Sequence, residues 1–297
     1  MKMLHKEVLD IVDLLTASQE EVYNYIVDMV PYKHVTDSYI IYDVDDTPKP
    51  LLCVHLDTIN TMSNYKLQPS EIEFEPEIDL LSLSSDSKAK CLGADDRAGV
   101  YIALELIKHM SKTKDFKYAI GFFKDEEVGG VGSSDYRIDY PTDNYTCYIG
   151  LDRRTTILGQ PEVATYGYDN PDLLGVFTKL GYKEVMGSFT DAANIAGHNA
   201  CINLSVGYDK EHTKLETLDL VSMNYTLDVL KEIPRLTEEY LSEDAPYCPD
   251  YDDDWYYDEY PDTRIAALRD ENEILREYII SMGQDPDKLI KEYKYYW

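Results

Sequence analysis

Basic charge is what this chain of 297 residues has least of for its size: 28 Lys and Arg stand against 57 Asp and Glu, a formal net charge of −29. Such a surface repels phosphate backbones and anionic lipid, which argues against nucleic acid and membrane partners and favours cationic ligands, metal ions included. Long apolar runs are missing as well. No stretch approaches the roughly 18–20 apolar residues of a membrane span, and the first apolar stretch carries acids within it, unlike a signal peptide. A cytoplasmic location is the expectation. Cysteine is sparse: Cys53, Cys91, Cys147, Cys201 and Cys248 are odd in number, widely scattered and never spaced Cys-x-x-Cys. That argues against a disulfide framework or a thiolate zinc site, and leaves reduced, mostly buried small side chains. What is present, 44% hydrophobic residues, suffices for a packed core.

The hydrophobic pattern opens helical. Leu4, Val8, Ile11, Val12 and Leu15 follow a spacing of three and four, and Ser18 with Glu21 three positions on has the form of a capping box. Short β-prone runs follow at Tyr39–Tyr42, Leu51–His55, Tyr118–Phe123, Tyr145–Leu151 and Ile202–Val206, with helical patterns around Val100–Ile107 and Leu218–Ile233 between and after them. Strands alternating with helices predict a three-layer α/β/α domain with a mostly parallel mixed sheet over residues 1–237. Ligands of such sheets sit at the carboxyl ends of strands.

Composition then changes. Residues 238–262 hold eleven acids, six tyrosines and no Lys or Arg, an acidic linker or arm onto which no secondary structure is forced. Residues 263–297 read as a helical extension. Ile265, Leu268, Asn272, Leu275, Ile279 and Met282 alternate spacings of three and four, with Ile or Asn at a positions and Leu or Met at d. This pattern suits a short two-stranded coiled coil through residues 264–282, hence a homodimer, and equally an amphipathic helix folded back on its own domain. Asn272→Leu separates them: a changed oligomeric state by light scattering is expected of a coiled-coil seam, an unchanged one of the folded-back helix.

Five segments, each at a strand end or loop-to-helix junction, concentrate hard and borderline metal ligands. They are His55-x-Asp57, Gly93-Ala-Asp95-Asp96-Arg97-Ala-Gly99, Asp125-Glu126-Glu127-x-Gly129, Leu151-Asp152, and His212 in a loop after the last strand. The strand period of two puts His55 and Asp57 on one side, where a carboxylate can orient an imidazole. A carboxylate of Asp95-Asp96 has two oxygens to bridge two cations. Adjacent acids at Glu126-Glu127 can divide metal binding from proton transfer. Taken singly, each has a plainer reading as a solvated strand end, an acidic N-cap or a surface loop. Together, two His and three carboxylates make a mixed N/O set suited to two zinc ions.

This ordered series resembles the co-catalytic di-zinc exopeptidases, the group containing peptidase T, glutamate-releasing carboxypeptidases and bacterial zinc aminopeptidases. The likeness runs over residues 1–235 and includes Phe189-Thr190-Asp191-Ala192, similar to the group's small-residue Asp-Ala segment. The resemblance implies two Zn²⁺ per chain, with Co²⁺ or Mn²⁺ able to substitute. His55, Asp95 and Asp152 would hold one, His212, Asp95 and Glu127 the other. Asp57 would orient His55, and Glu126 would be the general base acting on a zinc-bridged water. It also implies a cis peptide between Asp95 and Asp96.

Departures from the group bear on assembly and specificity. Only 60 positions separate Asp152 from His212 and 40 separate His55 from Asp95, leaving no room for the dimerisation domain of peptidase T and space only for a loop or hairpin in place of a lid. Glu211 stands where some relatives carry an aromatic hydroxyl. Arg153 and Arg154 either bind a substrate carboxylate or pair with neighbouring acids, and Tyr208 is a further candidate for substrate contact. The expected function is a zinc-dependent exopeptidase, foremost an aminopeptidase, acting on a peptide or small amide. The alternatives are a deacylase or carboxypeptidase of the same fold, and a catalytically silent relative that binds protein.

Overall fold

The computed structural model describes residues 5–30, 33–62, 65–141, 145–155, 160–166, 171–237 and 241. Two helices open the chain, α1 (His5–Thr16) and α2 (Gln19–Met29). The expected capping box separates them: Ser18 Oγ accepts the Glu21 N–H at 3.3 Å, and the Glu21 carboxylate accepts the Ser18 N–H at 2.8 Å. Hydrogen bonds from Lys66 and Ser18 hold the Glu21 carboxyl down at about 2, from an ordinary 4.5. Because the folded value lies below the unfolded one, this stabilisation is complete above pH 4.5 and is lost as pH falls toward 2. At neutral pH, Ser18→Ala is expected to cost about 1 kcal/mol, a fall in Tm of about 2–4 °C by calorimetry.

The strands β1 (His34–Val35), β2 (Tyr39–Tyr42) and β3 (Leu51–His55) come next, then α3 (Ile59–Met62) and the hairpin β4 (Ile72–Glu75) and β5 (Leu80–Leu83). There follow α4 (Ala94–Thr113), β6 (Ala119–Phe123), α5 (Val131–Asp139), β7 (Tyr148–Arg153), β8 (Glu162–Thr165), α6 (Pro171–Lys179) and β9 (Lys183–Met186). The described series ends with α7 (Asp191–Ala196), β10 (Cys201–Ser205), β11 (Tyr208–Asp209), β12 (Thr217–Asp219) and α8 (Leu220–Glu232).

One eight-stranded sheet has the order β1-β2-β6-β3-β7-β10-β8-β9. Its centre, β6-β3-β7-β10, is parallel throughout. Every residue of β3, β6 and β10 is buried, as expected of strands covered on both faces, whose sequences read as continuous apolar runs rather than alternating ones. Helices α4 and α8 pack together with α1 on one side of the sheet, α5 and α7 on the other, so the three layers expected from the pattern are present. Tyr39, Ile41, Leu51, Phe123, Tyr136 and Tyr148 form much of the core under α5 and α7. Cys53, Cys91, Cys147 and Cys201 are buried and form no disulfide. No described helix is long and apolar enough to cross a membrane.

A second sheet, β11-β12-β5-β4, is antiparallel and was not anticipated. The hairpin for which 40 positions leave room is β4–β5, and it pairs through Leu81 with Leu218 of β12. That pairing ties the segment between His55 and Asp95 to the segment that carries His212. The acidic arm, apart from Leu241, and the heptad helix lie outside the described residues.

Candidate active site

The parallel strands deliver their ligands to one edge. His55 ends β3, Glu126 and Glu127 follow β6, Asp152 lies near the end of β7, and His212 sits between β11 and β12 after β10. His55 Nε2 is 3.0 Å from Asp95 Oδ1 and 3.6 Å from Asp152 Oδ1. His212 Nε2 is 3.1 Å from Asp95 Oδ2 and 2.8 Å from Glu127 Oε1. Each oxygen of Asp95 thus faces a different imidazole, and two donor groups share one carboxylate. Candidate ligand atoms of His55, Asp95 and Glu127 also lie within 4.8 Å of one another, as do those of His55, Asp96 and Asp152. Asp96 is otherwise engaged: its oxygens accept the N–H groups of His55 at 3.1 Å and Gly99 at 3.0 Å. The set of two imidazoles and three carboxylates fits zinc or a neighbouring first-row ion better than calcium or magnesium, which favour oxygen alone.

Local backbone chemistry explains the placement. The Asp95–Asp96 peptide is cis, and Gly93 before it takes φ 80°. Asp95 and Asp96 have non-helical angles, so the regular helix runs from Arg97. Gly99 is dictated by close approach: a Cβ there would lie 2.1 Å from the Leu151 carbonyl oxygen and 2.4 Å from Asp96 Oδ1. Arg97 is buried and donates from Nη1 to Leu56 O at 2.6 Å and from Nη2 to Ala17 O at 3.0 Å, joining the end of β3 to the turn between α1 and α2. Asp125, directly before Glu126, and His212 itself have φ of 60° and 62°, the left-handed region that Asp and His enter more readily than most residues.

Asp57 does more than its spacing promised. Its Oδ1 is 3.2 Å from His55 Nδ1, the orienting contact expected, and the same carboxylate accepts the N–H groups of Glu126 and Glu127, each at 3.0 Å. One side chain therefore fixes both a ligand on β3 and the loop after β6. Despite burial, His55 and these two N–H groups hold the Asp57 carboxyl below its ordinary range.

The electrostatics separate the carboxylates. Burial, with the negative charges of Asp152, Asp191 and Asp95, pushes Glu126 up to about 9 against the pull of His55. Burial and Asp95 raise Asp152 to about 6, while both histidines hold Asp95 low despite its burial. Hydrogen bonds to Asp95 and Glu127 raise His212 to about 11. Titratable groups pushed this far from their ordinary values within one cleft mark it as a candidate site for proton transfer.

Two supporting residues, Glu216 and Asn203, were not singled out from the sequence, and a third, Asp191, was given no role. Glu216 is fully buried and accepts the N–H of Asp95 on Oε1 and of Gly93 on Oε2, both at 3.0 Å. Burial raises its carboxyl to about 8. Asn203 pairs with the Asp152 backbone in both directions at 2.9 Å. Asp191, placed in the Thr-Asp-Ala segment by resemblance but given no role, is buried at the start of α7, and burial pushes it up to about 7. Of the substrate candidates, Tyr208 donates to Asp152 Oδ1 at 3.0 Å, and Arg153 donates from Nε and Nη2 to Glu162 Oε2, each at 3.2 Å.

A cleft of about 200 Å³ is lined by Asp95, Glu126, Glu127, Asp152 and His212, joined in its wall by Arg153, Arg154, Tyr208 and Glu211. Residues 45–198, just over half of the chain, match the model of peptidase family M28. The chain belongs to peptidase family M28. M28 peptidases are metal-dependent, and the donor groups around Asp95 are this member's candidate metal site. Among curated proteins none matches the chain in sequence. Solved structures similar to this M28 chain include aminopeptidase PepT from Bacillus cereus, 14% identical, with a TM-score of 0.56 over 76% of this chain and 96% of that one. A tripeptidase from Staphylococcus aureus is 13% identical, with a TM-score of 0.58 over 78% and 98%. A TET aminopeptidase from a marine-sediment Thaumarchaeota archaeon is 13% identical, with a TM-score of 0.53 over 80% and 99%. At these identities the likeness shows a shared fold.

Proposed function

We propose that this M28 peptidase is a di-zinc exopeptidase that removes residues from the free amino end of a peptide. The observation that carries the reading is the single carboxylate of Asp95 held between His55 and His212, with Glu126 on the wall of the same cleft. His55, Asp95 and Asp152 would hold one ion, His212, Asp95 and Glu127 the other, with cobalt or manganese able to substitute for zinc. Bound divalent ions supply Lewis acidity, polarising the scissile carbonyl and easing ionisation of the attacking water. Glu126 takes the proton of that water and returns it to the leaving amine. Asp57 keeps Glu126 in place through the backbone N–H of its loop and holds the His55 ring through Nδ1. Burial raises Glu126, and a cation held by Asp95 and Glu127 would lower it toward the neutral range in which a base is efficient. Arg153 and Tyr208 form the cleft wall and act through Glu162 and Asp152.

Peptides with a free amino terminus and their N-acetylated counterparts discriminate this reading from its neighbours. With zinc-loaded protein and free amino acids counted by mass spectrometry, release from the unblocked series alone is expected. Cleavage confined to acetylated amides or to the carboxyl terminus would replace the aminopeptidase with a deacylase or carboxypeptidase.

A further inference from the structure

The two arginines after Asp152 differ in how far their hydrogen-bonding capacity is used. Arg153 is the more fully engaged, with Nε and Nη2 both on Glu162, whose side chain is 2% exposed. Among the described residues Arg154 makes one bond, from Nη1 to Glu211 Oε1 at 3.0 Å, and its side chain remains 41% exposed in the cleft wall. A guanidinium carries five N–H donors, so most of those on Arg154 are uncommitted among the described residues. Among the described residues its Nε and the second oxygen of Glu211 are buried without a partner, and buried polar atoms in native proteins are seldom left unmatched. The incomplete pair lies in the same wall as Glu126 and Asp152, in a cleft whose volume of about 200 Å³ suits a residue or two of substrate. In a chain of net charge −29, an arginine with spare donors two positions from a candidate metal ligand is well matched to an anion arriving with the substrate. Its planar fork is the geometry that recognises a carboxylate.

We propose that Arg154, steadied by Glu211, receives a carboxylate of the substrate. The inference rests on the exopeptidase reading of the neighbouring site. The same chemistry has two sources: the acidic side chain of a terminal Glu or Asp, or the carboxyl terminus of a dipeptide.

Two matched pairs distinguish them: glutamyl-alaninamide with glutaminyl-alaninamide, and leucyl-alanine with leucyl-alaninamide. With zinc-loaded full-length protein, one carboxylate-bearing member is expected to exceed its neutral partner in kcat/KM by about tenfold or more, consistent with a charge-assisted contact. Preference within the first pair assigns the side chain, within the second the chain terminus. Arg154→Ala should collapse that ratio toward one, and Arg154→Lys should restore part of it. Calorimetric binding of the same four compounds to Glu126→Gln protein gives a readout independent of turnover. If wild-type protein cleaves none of the four, the exopeptidase reading fails, while the binding ratio still decides the subsite. Equal binding within both pairs, or a ratio untouched by Arg154→Ala, overturns the proposal.

Discussion

Glu126→Gln should keep its metal and lose turnover by about 10²–10⁴-fold, the range a positioned general base contributes. The substitution conserves shape and removes the ability to accept a proton. The expected ligands are untouched, since His55, Asp95, Asp152, Glu127 and His212 meet one another without the Glu126 side chain. The loop should stay in place, because Asp57 grips it through the backbone N–H of residues 126 and 127. Metal content by atomic absorption and kcat on an unblocked peptide are the two measurements. Wild-type turnover would remove Glu126 from the role of base, and lost metal would make it part of the binding site instead.

Glu216→Ala is expected to be equally damaging by a different route. The carboxylate accepts two buried N–H groups, those of Gly93 and Asp95, and leaving a buried donor unsatisfied costs about 1–3 kcal/mol each. Against a typical domain stability of about 5–15 kcal/mol, the loss is severe. Its consequence for function is geometric. Glu216 lies four positions beyond His212 and holds the backbone of Asp95, so one side chain sets the relation between two ligands from distant parts of the chain. The expected outcome is a lowered Tm together with reduced metal retention after dialysis, with Glu216→Gln intermediate because one acceptor oxygen survives. Unchanged metal content and Tm would show that the Asp95 turn is held by other means.

The candidate residues at strand ends were legible in the sequence because they follow apolar runs, while the roles of Asp95, at a loop-to-helix junction, and His212, in a loop, came with the family resemblance. A strand such as Leu51–His55 announces itself by composition, and a polar ligand directly after it stands out. Glu216 gave no such signal. Its partners are backbone N–H groups more than 120 positions away, and backbone groups have no sequence. The second clamp of Asp57 is hidden for the same reason. The four-stranded sheet escaped notice because β11 and β12 are two and three residues long, too short for a period of two to show, and Thr217–Asp219 merges into the apolar pattern of α8. Arg97 was visible as part of a motif, yet its full burial depends on carbonyl oxygens of Ala17 and Leu56 converging on it.

Stoichiometric reconstitution tests the shared role of Asp95 most directly. Protein stripped by chelation is titrated with zinc while release of the amino-terminal residue from an unblocked peptide is followed, with bound metal counted in parallel. Activity absent at zero metal and reaching its plateau at two ions per chain is the expected result. A plateau at one ion per chain, or full activity in the stripped protein, would contradict a site in which His55 and His212 each hold an ion across one carboxylate.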